Sequence, residues 1–164
     1  MQAAVVGAGI TGITTAYYLA RAGYSVTIYD ERKYPAMATS YANGGQLSAS
    51  NAEVWNSWRS VYKGIKWLSK KDAPLKINPW PSIDKYSWFF KFIKEIPNAD
   101  TNTQRTCEMA LEAHNLYKKI AFEEDIQFDK VEKGILHIYT NEAEYENAKR
   151  VNEVYAKAGL NRWE

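Results

Sequence analysis

The sequence predicts an α/β fold that opens on a βαβ unit and continues into a helix-rich region. Three observations lead there. A short apolar run, Ala3–Val6, suited to a strand buried on both faces, is followed at once by glycines at positions 7, 9 and 12. Ile13, Ala16, Tyr17 and Ala20 then recur on one helical face, and Gly23 stands where such a helix would stop. The run YSVTIYD, residues 24–30, reads as the second strand and ends on Asp30.

Each glycine of the G-x-G-x-x-G pattern has a separate physical purpose. Gly7 permits a tight turn out of the strand, Gly9 lets a pyrophosphate approach the backbone, and Gly12 lets the helix sit close to the strand. The helix start offers unpaired N–H groups and a positive dipole end to phosphates. Asp30 falls eighteen residues beyond Gly12, where a carboxylate accepts hydrogen bonds from a ribose hydroxyl pair and disfavours a 2′-phosphate. A glycine-rich structural turn is the bland alternative. Strand before, helix after and acid at this distance together predict a dinucleotide site, with NADP disfavoured. Asp30 alone does not separate NAD from FAD, since both carry an adenosine ribose.

The composition bounds the rest. With 164 residues, 46% hydrophobic and 24% charged, the chain can form a real core and does not read as disordered. A net charge of +2 gives no case for nucleic acid. Its distribution is uneven: residues 55–96 carry nine basic and three acidic groups, residues 97–164 nine and thirteen. Cys107 is the single cysteine, so no internal disulfide or thiolate metal framework can form, and a reducing compartment fits. His114 and His137 stand at no metal-ligand spacing; each is expected to make a local hydrogen bond in a helix or strand, and no Ser–His–Asp arrangement emerges. The charge-free run from Gln2 to Ala20 lacks a preceding basic segment, so it does not read as a signal peptide. Its three glycines and three threonines argue against a membrane span.

Ala38–Ser50, ATSYANGGQLSAS, contains no charge and no branched aliphatic residue other than Leu47. A solvated loop would explain it. The better reading is a loop along a flat, polar ring system: Gly44 and Gly45 allow backbone N–H groups to approach, while Ser40, Asn43, Gln46 and Ser48 add donors and acceptors without bulk. That suits the ribityl chain and isoalloxazine of FAD.

GAGITGITTAYYLARAG, then Asp30, then TSYANGGQLS at 39–48 together resemble the FAD-dependent D-amino-acid dehydrogenase small-subunit family, within the D-amino-acid oxidase and glycine oxidase superfamily. GIKWLSKKDAPLKINP (64–79) and GILHIYTNEAEYENAKRVNEVYAKAGL (134–160) extend the resemblance along nearly the whole chain. The resemblance implies cofactor contacts from Val6, Gly7, Ala8, Gly9, Ile10, Thr11 and Gly12 around the pyrophosphate. Asp30, Glu31 and Arg32 would lie towards the adenosine ribose, and Ser40, Asn43, Gly44, Gly45, Gln46 and Leu47 towards the flavin. It implies FAD as cofactor and oxidation of a D-amino acid by hydride transfer to flavin N5, giving a 2-oxo acid and ammonia. No catalytic side chain and no metal ligand is assigned. A respiratory-chain acceptor, a cytoplasmic location and peripheral contact with the inner face of the membrane are further implications. An amine oxidase of the glycine or sarcosine oxidase type and a non-catalytic remnant are the alternatives.

The expected architecture is a Rossmann-like FAD-binding βαβ unit followed by helices and part of an α+β substrate domain. Residues 1–54 are expected to form the N-terminal part of the FAD domain, and 55–164 a helical segment with an incomplete substrate or cap domain. Family members are more than twice this length, so the chain reads as a truncated N-terminal portion, completed in the active enzyme by further chain or by a partner polypeptide. An unpaired edge on the first strand would make it marginal alone, with weak or absent FAD binding and no turnover. Helices are expected over 54–70, with Gly64 a weak point, over 85–96, closed by Pro97, over about 101–125, capped by Asp100 or Thr101, and over the polar segment 141–159. A proline-broken connector is expected over 72–82. Tyr145, Ala148, Val151 and Tyr155 form the predicted buried stripe of the last helix. Residues 126–131 and 134–140 alternate like strands joined by a turn at Glu132–Lys133. Trp55, Trp58, Trp67, Trp80 and Trp88 lie in the basic region. They fit an interfacial membrane contact, but inward packing as core aromatics is the expected arrangement.

Overall fold

The computed structural model describes residues 1–68, 72, 78 and 80–162. It divides into two compact units, Met1–Gln46 and Leu47–Glu164.

The first unit is the predicted βαβ. Strand β1 (Gln2–Val6) leads to helix α1 (Ile10–Arg21) and strand β2 (Ser25–Tyr29). The strands pair in parallel with Gln2 opposite Ser25 and Val6 opposite Tyr29. Gly7 extends the ladder, its amide donating to the Tyr29 carbonyl at 2.7 Å. Helix α1 ends in a Schellman motif: Gly23 donates to the Ala20 carbonyl (3.0 Å) and Tyr24 to that of Leu19 (3.1 Å), with Gly23 at φ +87°. Side chains alternate across the strands, so Ala3 and Val5 are half-buried while Ala4 and Val6 are not, Val6 being 88% exposed. Among the described residues no strand pairs with the outer edge of β1.

The second unit holds most of the core. A 3₁₀ turn (Ala49–Asn51) precedes helices α2 (Trp58–Trp67), α3 (Ile83–Lys94), α4 (Ala99–Glu123) and α5 (Glu142–Lys157), and a second 3₁₀ turn (Ile96–Asn98) joins α3 to α4. Ala52, Cys107, Val151 and Tyr155 are buried together, with Leu111, Ala158 and Leu160 against them. Two hydrogen bonds fasten the segment after the first turn: the Glu53 amide donates to the Tyr155 hydroxyl (2.9 Å) and the Val54 amide to Thr103 Oγ1 (3.2 Å). Ala49, inside the Ala38–Ser50 stretch, and Ala52, just beyond it, are both buried, so packing accounts for the small residue at position 49.

Several expectations need correction. Helix α2 starts at Trp58, not residue 54, because Ser57 caps it by accepting from the Ser60 amide at 3.1 Å. It runs through Gly64; residues 69 and 70, and most of the connector 72–82, lie outside the described residues. Helix α4 begins at Ala99 with Asn98 at the cap position, so Asp100 and Thr101 lie inside its first turn. The 3₁₀ turn around Pro97 feeds straight into that helix, so Asn98 is at once the last residue of the turn and the cap position. Residues 126–131 and 134–140 form no strands. Alternation supplies two faces but no partner, and an isolated hairpin without a covered face is marginal in water. The α5 stripe holds at Ala148, Val151 and Tyr155 and includes Val154, while Tyr145 is half-buried. Four of the five tryptophans of the basic region do not pack inward: Trp55 is 61% and Trp88 48% exposed, and Trp58 and Trp80 are exposed too, while Trp67 is half-buried. Trp55, Trp88 and Phe92 instead contact one another at the surface, with centroids 5.0–6.0 Å apart.

Candidate functional site

The turn between β1 and α1 brings the predicted phosphate residues together. A Cβ on Gly12 would stand 1.8 Å from the Gly7 carbonyl oxygen, so only glycine allows α1 to lie this close to β1. Gly7 has φ +98°, a left-handed conformation that glycine adopts without steric cost. Gly9 differs: a Cβ there would meet only Ser40 Oγ, at 3.3 Å. No packed neighbour demands glycine at position 9, which leaves room beside the helix start.

That start is already partly satisfied. The Ile10 amide donates to Ser40 Oγ at 3.0 Å, a cap supplied from thirty residues away. Thr11 and Gly12, next in the first turn, have no intrahelical carbonyl partner by the geometry of any helix. Asp30 stands just beyond β2. Its Oδ2 accepts from the Ala8 amide (2.6 Å) and its Oδ1 from the Arg32 amide (2.8 Å). These two backbone donors, with the nearby Arg32 guanidinium, hold the Asp30 carboxyl below the usual carboxylate range. An ionised carboxylate has about four acceptor positions, so two amides leave capacity for further donors. Glu31 pairs with Arg32 at 3.2 Å on the surface.

The loop after β2 returns to the motif. Ala36, at φ +61°, donates its amide to the Ala8 carbonyl (2.9 Å). Asn43 Oδ1 accepts from the Gly45 amide at 2.8 Å, an Asx turn, and Gly45 takes φ +62°. Positions 44 and 45 have nothing within 4 Å of a built Cβ. Val6, Gly7–Gly12, Asp30–Arg32, Ser40 and Asn43–Gln46 thus lie in one unit, whereas Leu47 belongs to the second. Sequence reasoning named Asp30 and Ser40 as cofactor contacts but missed that they also tie this unit together, Asp30 through Ala8 and Ser40 through Ile10.

The second unit holds a polar cluster that sequence reasoning also missed. His137 Nε2 lies 2.8 Å from Ser50 Oγ, which is 3.0 Å from Ser48 Oγ. This long-range bond replaces the local one expected of His137. Burial, then the Arg162 charge, holds His137 below its ordinary pKa. Arg162 donates to the Tyr139 hydroxyl (2.8 Å) and lies 5.7 Å from the Tyr155 ring centroid. Cys107 is fully buried and its thiol is pushed up by desolvation, as befits a core residue and not a reactive one. His114 sits half-buried on α4. No cluster of three or more metal-ligating side chains occurs among the described residues, and no helix among them is long and apolar enough to cross a membrane.

A parallel βαβ with a glycine-forced turn and an acid at the end of its second strand defines the dinucleotide-binding class of α/β proteins. Comparison with known proteins narrows the class: residues 2–164 match the DAO family of FAD dependent oxidoreductases, and the chain belongs to that family. It is 51% identical over 158 residues to D-amino acid dehydrogenase 3 of Mesorhizobium japonicum, covering 96% of this chain and 38% of the relative. It is 39% identical over 167 residues to a D-amino acid dehydrogenase of Paramagnetospirillum magneticum, covering 99% and 39%. A D-amino acid dehydrogenase of Neisseria meningitidis is 32% identical over 162 residues. The chain thus spans 38–39% of the length of the curated relatives it matches. No solved structure matches it.

Proposed function

We propose that the Met1–Gln46 unit holds the adenosine and pyrophosphate portion of FAD, and that the chain contributes this site to a D-amino-acid dehydrogenase. The observation that carries the reading is the contrast between Gly12 and Gly9. Internal packing forces glycine at 12, while at 9 the space a side chain would fill is bounded only by Ser40 Oγ. A pyrophosphate approaching the backbone needs that space, and the 12-residue helix behind it offers its N-terminal amides and dipole. The residues present fit the group.

In this reading Gly9 and the Thr11 and Gly12 amides receive the phosphates, and Asp30 accepts from the adenosine ribose while its amide bonds fix its direction. Ser40, Asn43, Gly44, Gly45, Gln46 and Leu47 line the way towards the flavin. When bound, FAD supplies a hydride acceptor at N5. A D-amino acid oxidised there would lose its Cα hydride to that acceptor and a proton from its nitrogen to solvent, and water would hydrolyse the imino acid to a 2-oxo acid and ammonia. No side chain described here acts as a catalytic base; a substrate amine that is already neutral needs none. The electrons pass to a respiratory-chain acceptor. Residues 1–54 then serve the FAD domain and 55–164 the substrate or cap domain. The open edge of β1 is the place where further chain or a completing polypeptide would pair. Exposed Trp55, Trp58 and Trp88, with Lys63, Lys66, Lys85, Lys91 and Lys94 on α2 and α3, suit an anionic surface such as the inner face of the cytoplasmic membrane.

Titration of the purified chain with FAD, followed by flavin fluorescence and thermal stability together, tests the site. Weak but saturable binding with a rise in Tm is expected of the isolated chain, and the absence of both would overturn the reading in favour of a remnant that does not bind FAD. In a preparation reconstituted with the remaining segment of a relative, D-alanine should reduce an added dye. Peroxide formation with oxygen as sole acceptor would move the assignment to an amine oxidase.

A further inference from the structure

A cavity of about 360 Å³ opens within the second unit, within the size range of small-molecule sites. Its wall carries Ser50, His137, Tyr139, Asn147, Tyr155 and Arg162. Arg162 is half-buried, donates to the Tyr139 hydroxyl at 2.8 Å and lies 5.7 Å from the Tyr155 ring centroid. Among the described residues no carboxylate pairs with it. A guanidinium has five N–H donors in a fixed fork, and one hydrogen bond to a phenol uses one of them. A guanidinium beside a cavity, without a counter-ion among the described residues, is prepared for an anion.

We propose that this cavity is a binding site for a small monocarboxylate, with the carboxylate on the Arg162 guanidinium and further hydrogen bonds from the Ser50 and Asn147 side chains. The acids on the same wall limit the ligand's charge. Glu53 is offset by Arg150 at 3.7 Å, and Arg150 is shared with Asp100 at 2.7 Å. Glu144 also lines the cavity and has no cationic partner among the described residues. One unopposed carboxylate is compatible with a monoanion bound at Arg162 and penalises phosphate or a dicarboxylate. The Ser50–His137 pair does not make the cavity a hydrolase, because no carboxylate among the described residues is hydrogen-bonded to His137 to orient the ring. The proposal is independent of the flavin reading, since every residue it uses lies in the second unit.

The groups lining the cavity with His137 are Arg162, Glu53, Glu144, Tyr139 and Tyr155, and the charge on Arg162 is part of what lowers its pKa. A carboxylate on Arg162 offsets that charge, so binding must raise the His137 pKa. The test titrates the ¹⁵N-labelled 164-residue chain with acetate, lactate, phosphate and succinate at matched ionic strength, following the His137 imidazole signals and the heat of binding. Saturable binding of acetate or lactate is expected, with an upward shift of the His137 pKa, at least about tenfold weaker binding of phosphate and succinate, and at least about tenfold loss in Arg162→Gln. Arg162→Lys should retain part of the affinity, since it keeps the charge and loses the fork. Should Arg162→Gln not fold, Glu144→Gln serves instead, and narrows the gap between lactate and succinate. Unsaturable shifts, equal response to all four anions, or lactate binding unchanged in Arg162→Gln would overturn the proposal.

Discussion

The Asp30 carboxylate and the Ala8 amide, 2.6 Å apart, join the end of β2 to the turn that opens α1. The acid at the end of the second strand therefore organises the glycine turn, in addition to the ribose contact proposed for it. Its folded-state pKa is depressed by the Ala8 and Arg32 amides. A depressed carboxyl stabilises the fold above its unfolded pKa, near 4, and that contribution is lost as pH falls through the lower folded value. Asp30→Asn should therefore flatten the acid limb of a Tm–pH curve below about pH 4 relative to the parent chain. Superimposable acid limbs would show that the Ala8 contact does not contribute.

Gly12 and Gly9 should separate fold from ligand. Gly12→Ala places a methyl 1.8 Å from the Gly7 carbonyl, so α1 must move away from β1. A loss of about 2–3 kcal/mol or more is expected in chemical denaturation, at the upper end of overpacking effects. Gly9→Ala meets only the rotatable Ser40 hydroxyl at 3.3 Å. Its Tm should stay close to the parent's while FAD affinity falls about tenfold or more. Equal destabilisation by the two substitutions would refute the distinction.

Tyr155 anchors the second unit through a hydrogen bond that no local pattern reveals. Its ring is 1% exposed and its hydroxyl accepts from Glu53, 102 residues earlier. Tyr155→Phe keeps the ring and strands the Glu53 amide, so urea denaturation should report a loss of about 1–2 kcal/mol. Glu53→Ala leaves that amide in place and should cost less, because its ion pair with Arg150 is at the surface. The reverse order would mean that the ion pair, and not the hydroxyl, holds the segment.

These residues also mark where the sequence is legible. The βαβ unit could be read because its signals are local: a glycine turn, a helical period and a Gly23 stop lie within thirty residues. Burial at Ala148, Val151 and Tyr155 followed from helical spacing for the same reason. Ser50 and His137 are 87 residues apart, and nothing in the neighbourhood of either announces the other. Alternation over 126–140 states which side chains share a face but supplies no pairing partner, so the expected strands did not form. The tryptophans were expected inside because tryptophans in helical segments usually pack inward. Yet α3 buries none of its residues, and Trp55, Trp88 and Phe92 meet one another at its surface.

Helix α4 ends in the same Schellman geometry as α1 and α5, but with a different residue at the left-handed position. Ile126 donates to the Ala121 carbonyl at 3.0 Å, and Asp125 takes φ +47° where Gly23 and Gly159 stand in the other two helices. An L-residue pays a steric cost there that glycine does not, and aspartate pays less than most. Asp125→Gly removes that cost and gives up the surface hydrogen bond from Gln127 (2.6 Å), while raising the entropy of the unfolded chain. The balance favours a gain of about 0.5 kcal/mol, measurable as a higher midpoint in urea at unchanged slope. Asp125→Val, branched at Cβ, should lose about 1 kcal/mol or more by the same argument. Should valine be tolerated as well as glycine, the left-handed turn is not what ends the helix.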